Sequence, residues 1–137
     1  MAISLLDKLE LKEEKSILIQ GLPSSIEKQF SKLAFSKNIT PLLKIKKIDF
    51  ALVFAVNENQ LRGIIHELLP ALGKGGKFWV AYPKTSSKIV TTLNRECSWS
   101  CITQAGFEGI NEITLDHVWT ATRFGKVGRA VGALAVR

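Results

Sequence analysis

The sequence predicts an α/β domain, a sandwich built on a mainly parallel sheet with an antiparallel hairpin at its C-terminal end. Three observations carry this expectation. Apolar runs of strand length alternate with stretches of helical period along the chain. The run "DFALVFAV", Asp49 to Val56, is apolar almost throughout, as a strand covered on both faces must be. The last two runs, "FEGINEITL" and "HVWTATRF", alternate polar with apolar and are joined by Asp116, the pattern of a closing hairpin.

The elements follow in order. "SLLDKLEL" has the spacing of a short amphipathic helix and leads into "SILIQ", Ser16 to Gln20, a buried strand. In "GLPSSIEKQFSKLAFSKN", Ile26, Phe30, Leu33 and Ala34 fall on one helix face, and Ser24 with Glu27 three residues on forms a capping box that starts that helix. A short strand is expected near "ITPLLK", weakened by Pro41. After the strand from Asp49, Asn57 caps a helix whose Leu61, Ile64, Ile65, Leu68 and Leu69 make a continuous stripe, and Pro70 ends it near Leu69. Gly73, Gly75 and Gly76 read as a helix stop and tight turn into "KFWVAY". A further helix runs from about Thr92 to Ala105, and the hairpin closes the chain.

With 137 residues, 46% hydrophobic and 23% charged, the chain is expected to form one domain with one core, over residues 1–124. Residues 125–137 are a basic tail without an acid, whose glycines weaken a helix and which is expected to be disordered. No apolar run approaches the ~20 residues of a membrane helix. The acids near the N-terminus argue against a signal peptide, so a cytoplasmic location is expected, with Cys97 and Cys101 as free thiols. The net charge of +7, from 19 Lys and Arg against 12 Asp and Glu, permits weak, nonspecific binding of nucleic acid without requiring it. A homo-oligomer is equally permitted.

The order of these elements, with "LKEEKSILIQG" at the start, Asp49 ahead of an apolar strand, "GGKFWVAYPK" and a final "WTATRF", resembles the class I S-adenosylmethionine-dependent methyltransferases. More closely, it is similar to a family of small bacterial domains built as reduced versions of that fold. The resemblance covers roughly Leu5 to Phe124 and implies a three-layer, Rossmann-like sandwich. It supplies no functional residue.

Several residues bear on the cofactor that such a fold implies. The turn after the first strand is "GLPSS", with Gly21 alone where several glycines are wanted, and Pro23 removes a donor. The next strand should end in an acid for ribose hydroxyls, and Lys44, Lys46 and Lys47 stand there instead. A strand–helix unit between Leu43 and Asp49 is expected to be missing. The expectation from these departures is that S-adenosylmethionine does not bind and that no cofactor is used.

The remaining candidate is the loop "PKTSS", which leaves a strand at the carboxyl end of the sheet, where ligands of open α/β sheets sit. Lys84, Thr85, Ser86 and Ser87, with His117 and Trp119 from the hairpin turn, could line one pocket for a small anionic ligand. The ammonium and hydroxyls suit a phosphate or carboxylate, and the indole offers a flat face. The alternative is a solvated loop with Trp119 packed in the core. Cys97 and Cys101 have the spacing of half a metal site, but no second pair of ligands is apparent, so no metal is expected. The functional expectation is a non-catalytic ligand-binding or interaction domain. A divergent transferase acting through the loop at Lys84 is the alternative.

Overall fold

The computed structural model describes residues 8, 9, 11, 16–24, 26–30, 33, 35–37, 40, 41, 45, 47–84, 100–116 and 118–126. Five strands form one mixed sheet in the order β1-β2-β3-β5-β4: β1 (Ile17–Gln20), β2 (Ile48–Phe54), β3 (Leu72–Pro83), β4 (Phe107–Thr114) and β5 (Trp119–Lys126). β1, β2 and β3 run parallel, while β5 is antiparallel to both its neighbours, β3 and β4. β4 therefore points the same way as the first three strands, and β5 is the single reversed strand.

The apolar runs are explained by burial on both sides. Along β2, Ala51 and Val53 face one core cluster, and Phe50, Leu52 and Phe54 face the other. Phe78, Val80 and Tyr82 of β3 alternate in the same way with Trp79 and Ala81. The first face is covered by α1 (Glu58–Leu68), through Leu61, Ile65 and Leu68, and by Ile102 of α2 (Ser100–Thr103). The second is covered by Leu9, whose carbonyl accepts a buried hydrogen bond from Trp79 Nε1 at 3.1 Å, and by Ile26, Phe30 and Leu115.

Asn57 caps α1 as its sequence indicates, its side chain accepting from the Gln60 N–H at 2.8 Å. The helix gives way at Leu69–Ala71 to a 3₁₀ turn with Pro70 in its first positions. Asp116 shapes the hairpin turn by accepting from the N–H groups of Val118 and Trp119, each at 2.8 Å.

Three local expectations are corrected. The helix expected from Ser24 is, among the described residues, a 3₁₀ turn over Glu27–Phe30. Its bonds run three residues back, from Ile26 to Pro23, Glu27 to Ser24 and Gln29 to Ile26, so a backbone carbonyl takes the Glu27 N–H meant for the capping box. Among the described residues no strand stands near "ITPLLK": Pro41 and Ile45 are helical, and the pairing on the outer edge of β1 is a single parallel bridge, Leu18↔Ser36. Pro41 has no N–H to give a ladder. The glycines of "GKGG" lie inside β3 rather than in a turn before it. Between Ile48↔Leu72 and Phe50↔Lys77, two steps along β2 oppose five along β3, so the glycines form a bulge. A Cβ on Gly76 would stand 2.7 Å from the Ile48 carbonyl oxygen, an approach only glycine permits.

β5 takes in Gly125 and Lys126, while 127–137 lie outside the described residues, as do Cys97 and the Cys101 side chain. No helix of the described residues is long and apolar enough to cross a membrane.

Candidate functional site at the carboxyl end of the sheet

The parallel strands end together at Gln20, Phe54 and Pro83. At the end of β1 the chain turns through Gly21 at φ +78°. A Cβ there would lie 3.0 Å from the Phe54 carbonyl oxygen, so the turn presses against the end of β2. Beyond it opens a cleft of about 410 Å³ lined by Ile19, Gln20, Gly21, Leu22, Glu27 and Lys37. Lys37 arrives because Ser36 is bonded to β1 on both sides: the Ile19 N–H donates to the Ser36 carbonyl and the Ser36 N–H to that of Ile17, each at 2.9 Å. Glu27 arrives from the 3₁₀ turn. Gln20 Oε1 is buried and, among the described residues, accepts no hydrogen bond. Such an oxygen costs about 1–3 kcal/mol of desolvation when it has no donor.

The six residues singled out at the loop and hairpin fare unevenly. The Lys84 N–H donates to the Val118 carbonyl at 2.7 Å, and Pro83 stands opposite Trp119 in the ladder, so Lys84 and Trp119 share one end of the sheet. The indole of Trp119 is only 7% exposed and meets Phe54 edge-on, with ring centroids 5.3 Å apart. It thus continues a row from Gly21 through Phe54 into the core. Thr85, Ser86, Ser87 and His117 lie outside the described residues.

On the α1 side of the same end, Tyr82 donates its hydroxyl to Glu112 Oε2 at 2.9 Å and lies 3.2 Å from Thr122 Oγ1. The phenol, nearly buried, is anchored by polar groups of β4 and β5, which fixes the ends of three strands relative to one another.

No family model and no curated protein matches the sequence. Solved structures do. The chain is similar to the glycopeptide N-methyltransferase MtfA complexed with sinefungin, with a TM-score of 0.56 at 10% identity over 88% of this chain and 90% of that one. It is similar to the same enzyme complexed with S-adenosyl-L-methionine at 0.53 and 9% identity, covering 88% and 91%. LepI in complex with SAM matches at 0.51 and 11% identity over 89% of this chain, which spans only 39% of LepI. The fold is methyltransferase-like.

These comparisons correct the expectation that S-adenosylmethionine is excluded. The structures this chain resembles hold that cofactor or sinefungin, and departures in the glycine pattern do not take the chain out of their fold. The geometry gives the physical reason. A single glycine at positive φ suffices for the tight turn against Phe54. Glu27 reaches the cleft from the turn after β1, and Lys37 follows the bridge at Ser36. An adenosyl ligand would meet Gly21, the polar residue Gln20 and one charge of each sign, so the residues fit such a group.

Gln20 and Lys37 are the lining residues sequence reasoning missed, while Glu27 was read as a capping-box acid whose charge stands against a pyrophosphate at that turn. One signal was available for Gln20: a polar side chain ends an otherwise apolar strand, "SILIQ", at its carboxyl end. Lys37 gives no such signal, since only the bridge at Ser36 brings it to β1.

Proposed function

We propose that the protein is a ligand-binding domain of methyltransferase-like fold that takes an S-adenosylmethionine-type ligand at the carboxyl end of β1. The cleft at the carboxyl end of β1 carries this reading: Gly21, Gln20, Glu27 and Lys37 line it together. Ribose hydroxyls or an ammonium are donors for Gln20, and the paired signs of Glu27 and Lys37 suit the amino-acid zwitterion of such a molecule. Binding is placed ahead of transfer because these charges hold a ligand without help from a reacting partner. Transfer to an acceptor is the second reading, favoured by the activity named for MtfA. Lys84, at the same sheet end as Trp119, is proposed together with Thr85, Ser86, Ser87 and His117 to accept a small anion.

Calorimetric titration with S-adenosylmethionine and with sinefungin tests the proposal. Saturable one-to-one binding is expected, weakened at least tenfold in Gln20→Leu. No heat and no shift of the melting temperature at millimolar ligand would refute it.

A further inference from the structure

Beside the β1 cleft, and sharing Glu27 and Lys37 with it, lies a second groove of about 480 Å³. Its floor is formed by Phe30, Leu33 and Phe35, and Lys28 stands on its rim with Glu27 and Lys37. Phe30 is anchored in the core at 1% exposure, while Leu33 and Phe35 pack against the core from outside and keep part of their surface in the groove. Among the described residues, the pairing on the outer side of β1 is the one-residue bridge at Ser36, next to Phe35 and Lys37 of the groove. Two ammonium groups against one carboxylate give the rim a positive balance. Among the described residues, neither Lys28 nor Lys37 is tied to a carboxylate. The volume falls within the ~300–1,000 Å³ of small-molecule sites, which combine an apolar lining with a few placed polar groups.

We propose that this groove binds an apolar monocarboxylate, its hydrocarbon portion on Phe30, Leu33 and Phe35 and its carboxylate between Lys28 and Lys37. The combination selects the class. A hydrocarbon alone would leave two ammoniums crowding an apolar floor, and a small inorganic anion would leave the aromatic floor wet. A chain that ends in one carboxylate satisfies both halves. The groove and the cleft share Lys37, so the groove is tested without an adenosyl ligand present; Lys28, Leu33 and Phe35 line the groove and not the cleft.

The test is displacement of 1-anilinonaphthalene-8-sulfonate, followed by its fluorescence, with octanoate, decanoate, dodecanoate and decanol. Saturable displacement is expected, with affinity rising roughly fourfold per added methylene and decanoate binding tighter than decanol. Lys28→Glu, on the exposed rim, should weaken decanoate about tenfold and leave decanol unchanged. The chain-length series needs no variant, so a folding defect cannot imitate the result. No displacement at millimolar acid, equal binding of acid and alcohol, or a Lys28→Glu protein that binds decanoate as the parent does would each overturn the proposal.

Discussion

Gln20 and Gly21 are adjacent, yet substitutions at the two should act in opposite directions on stability. The Gln20 oxygen is buried without a donor among the described residues, so Gln20→Leu removes an unsatisfied acceptor and should raise stability by about 1 kcal/mol while weakening ligand binding. Chemical denaturation and calorimetry on the same protein read both effects; a variant that loses stability and keeps binding would show the oxygen to be structural. Gly21→Ala places a side chain at φ +78° with a Cβ 3.0 Å from the Phe54 carbonyl oxygen. It should cost about 1–2 kcal/mol, and binding should fall with it because the cleft wall moves. Denaturation midpoints equal to those of the parent would mean that the turn relaxes without strain.

At the scale of elements, what could be read from the chain is what depends on neighbours in sequence. β2 was legible because its apolar run is of strand length and carries Phe50, Val53 and Phe54, and α1 because Asn57, the apolar stripe and Pro70 mark its start, face and end within one stretch. The glycines of "GKGG" were misread because their purpose lies on another strand: they let β3 pass the Ile48 carbonyl, which no local pattern records. The cleft was illegible for the same reason, since Gln20, Glu27 and Lys37 converge only through the Leu18↔Ser36 bridge and a turn that closes as 3₁₀ rather than α. The contrast gives a paired prediction. Asn57→Ala loses one cap bond and should cost about 1 kcal/mol. Gly76→Ala must displace backbone lying 2.7 Å away and should cost about 1–3 kcal/mol, the larger loss of the two. Urea denaturation of both variants decides it, and a more tolerant Gly76 would mean that the bulge is not held by this approach.

For the whole molecule, the open quantity is how a net charge of +7 is spread over the fold. Lys47 stands just before β2 at the amino end of the sheet, where its Nζ donates to the Pro70 carbonyl at 3.0 Å. Lys84 stands just past β3 at the carboxyl end, and Lys28 and Lys37 flank the groove outside β1. These four of the 19 basic residues lie at both ends and one edge of the sheet, so a duplex laid on any side would meet few of the four together. With about two to three phosphates neutralised at once, the logarithm of the binding constant should fall with the logarithm of salt at a slope of roughly −2 to −3. Binding of this kind carries no information about sequence, because phosphates are all that the ammoniums contact. Titration of two unrelated duplexes across a salt series should therefore give the same shallow slope and near-equal affinities, with little binding left at physiological salt. A slope nearer −6, or a clear preference between the duplexes, would require a continuous basic face and would make nucleic acid a specific partner of this fold.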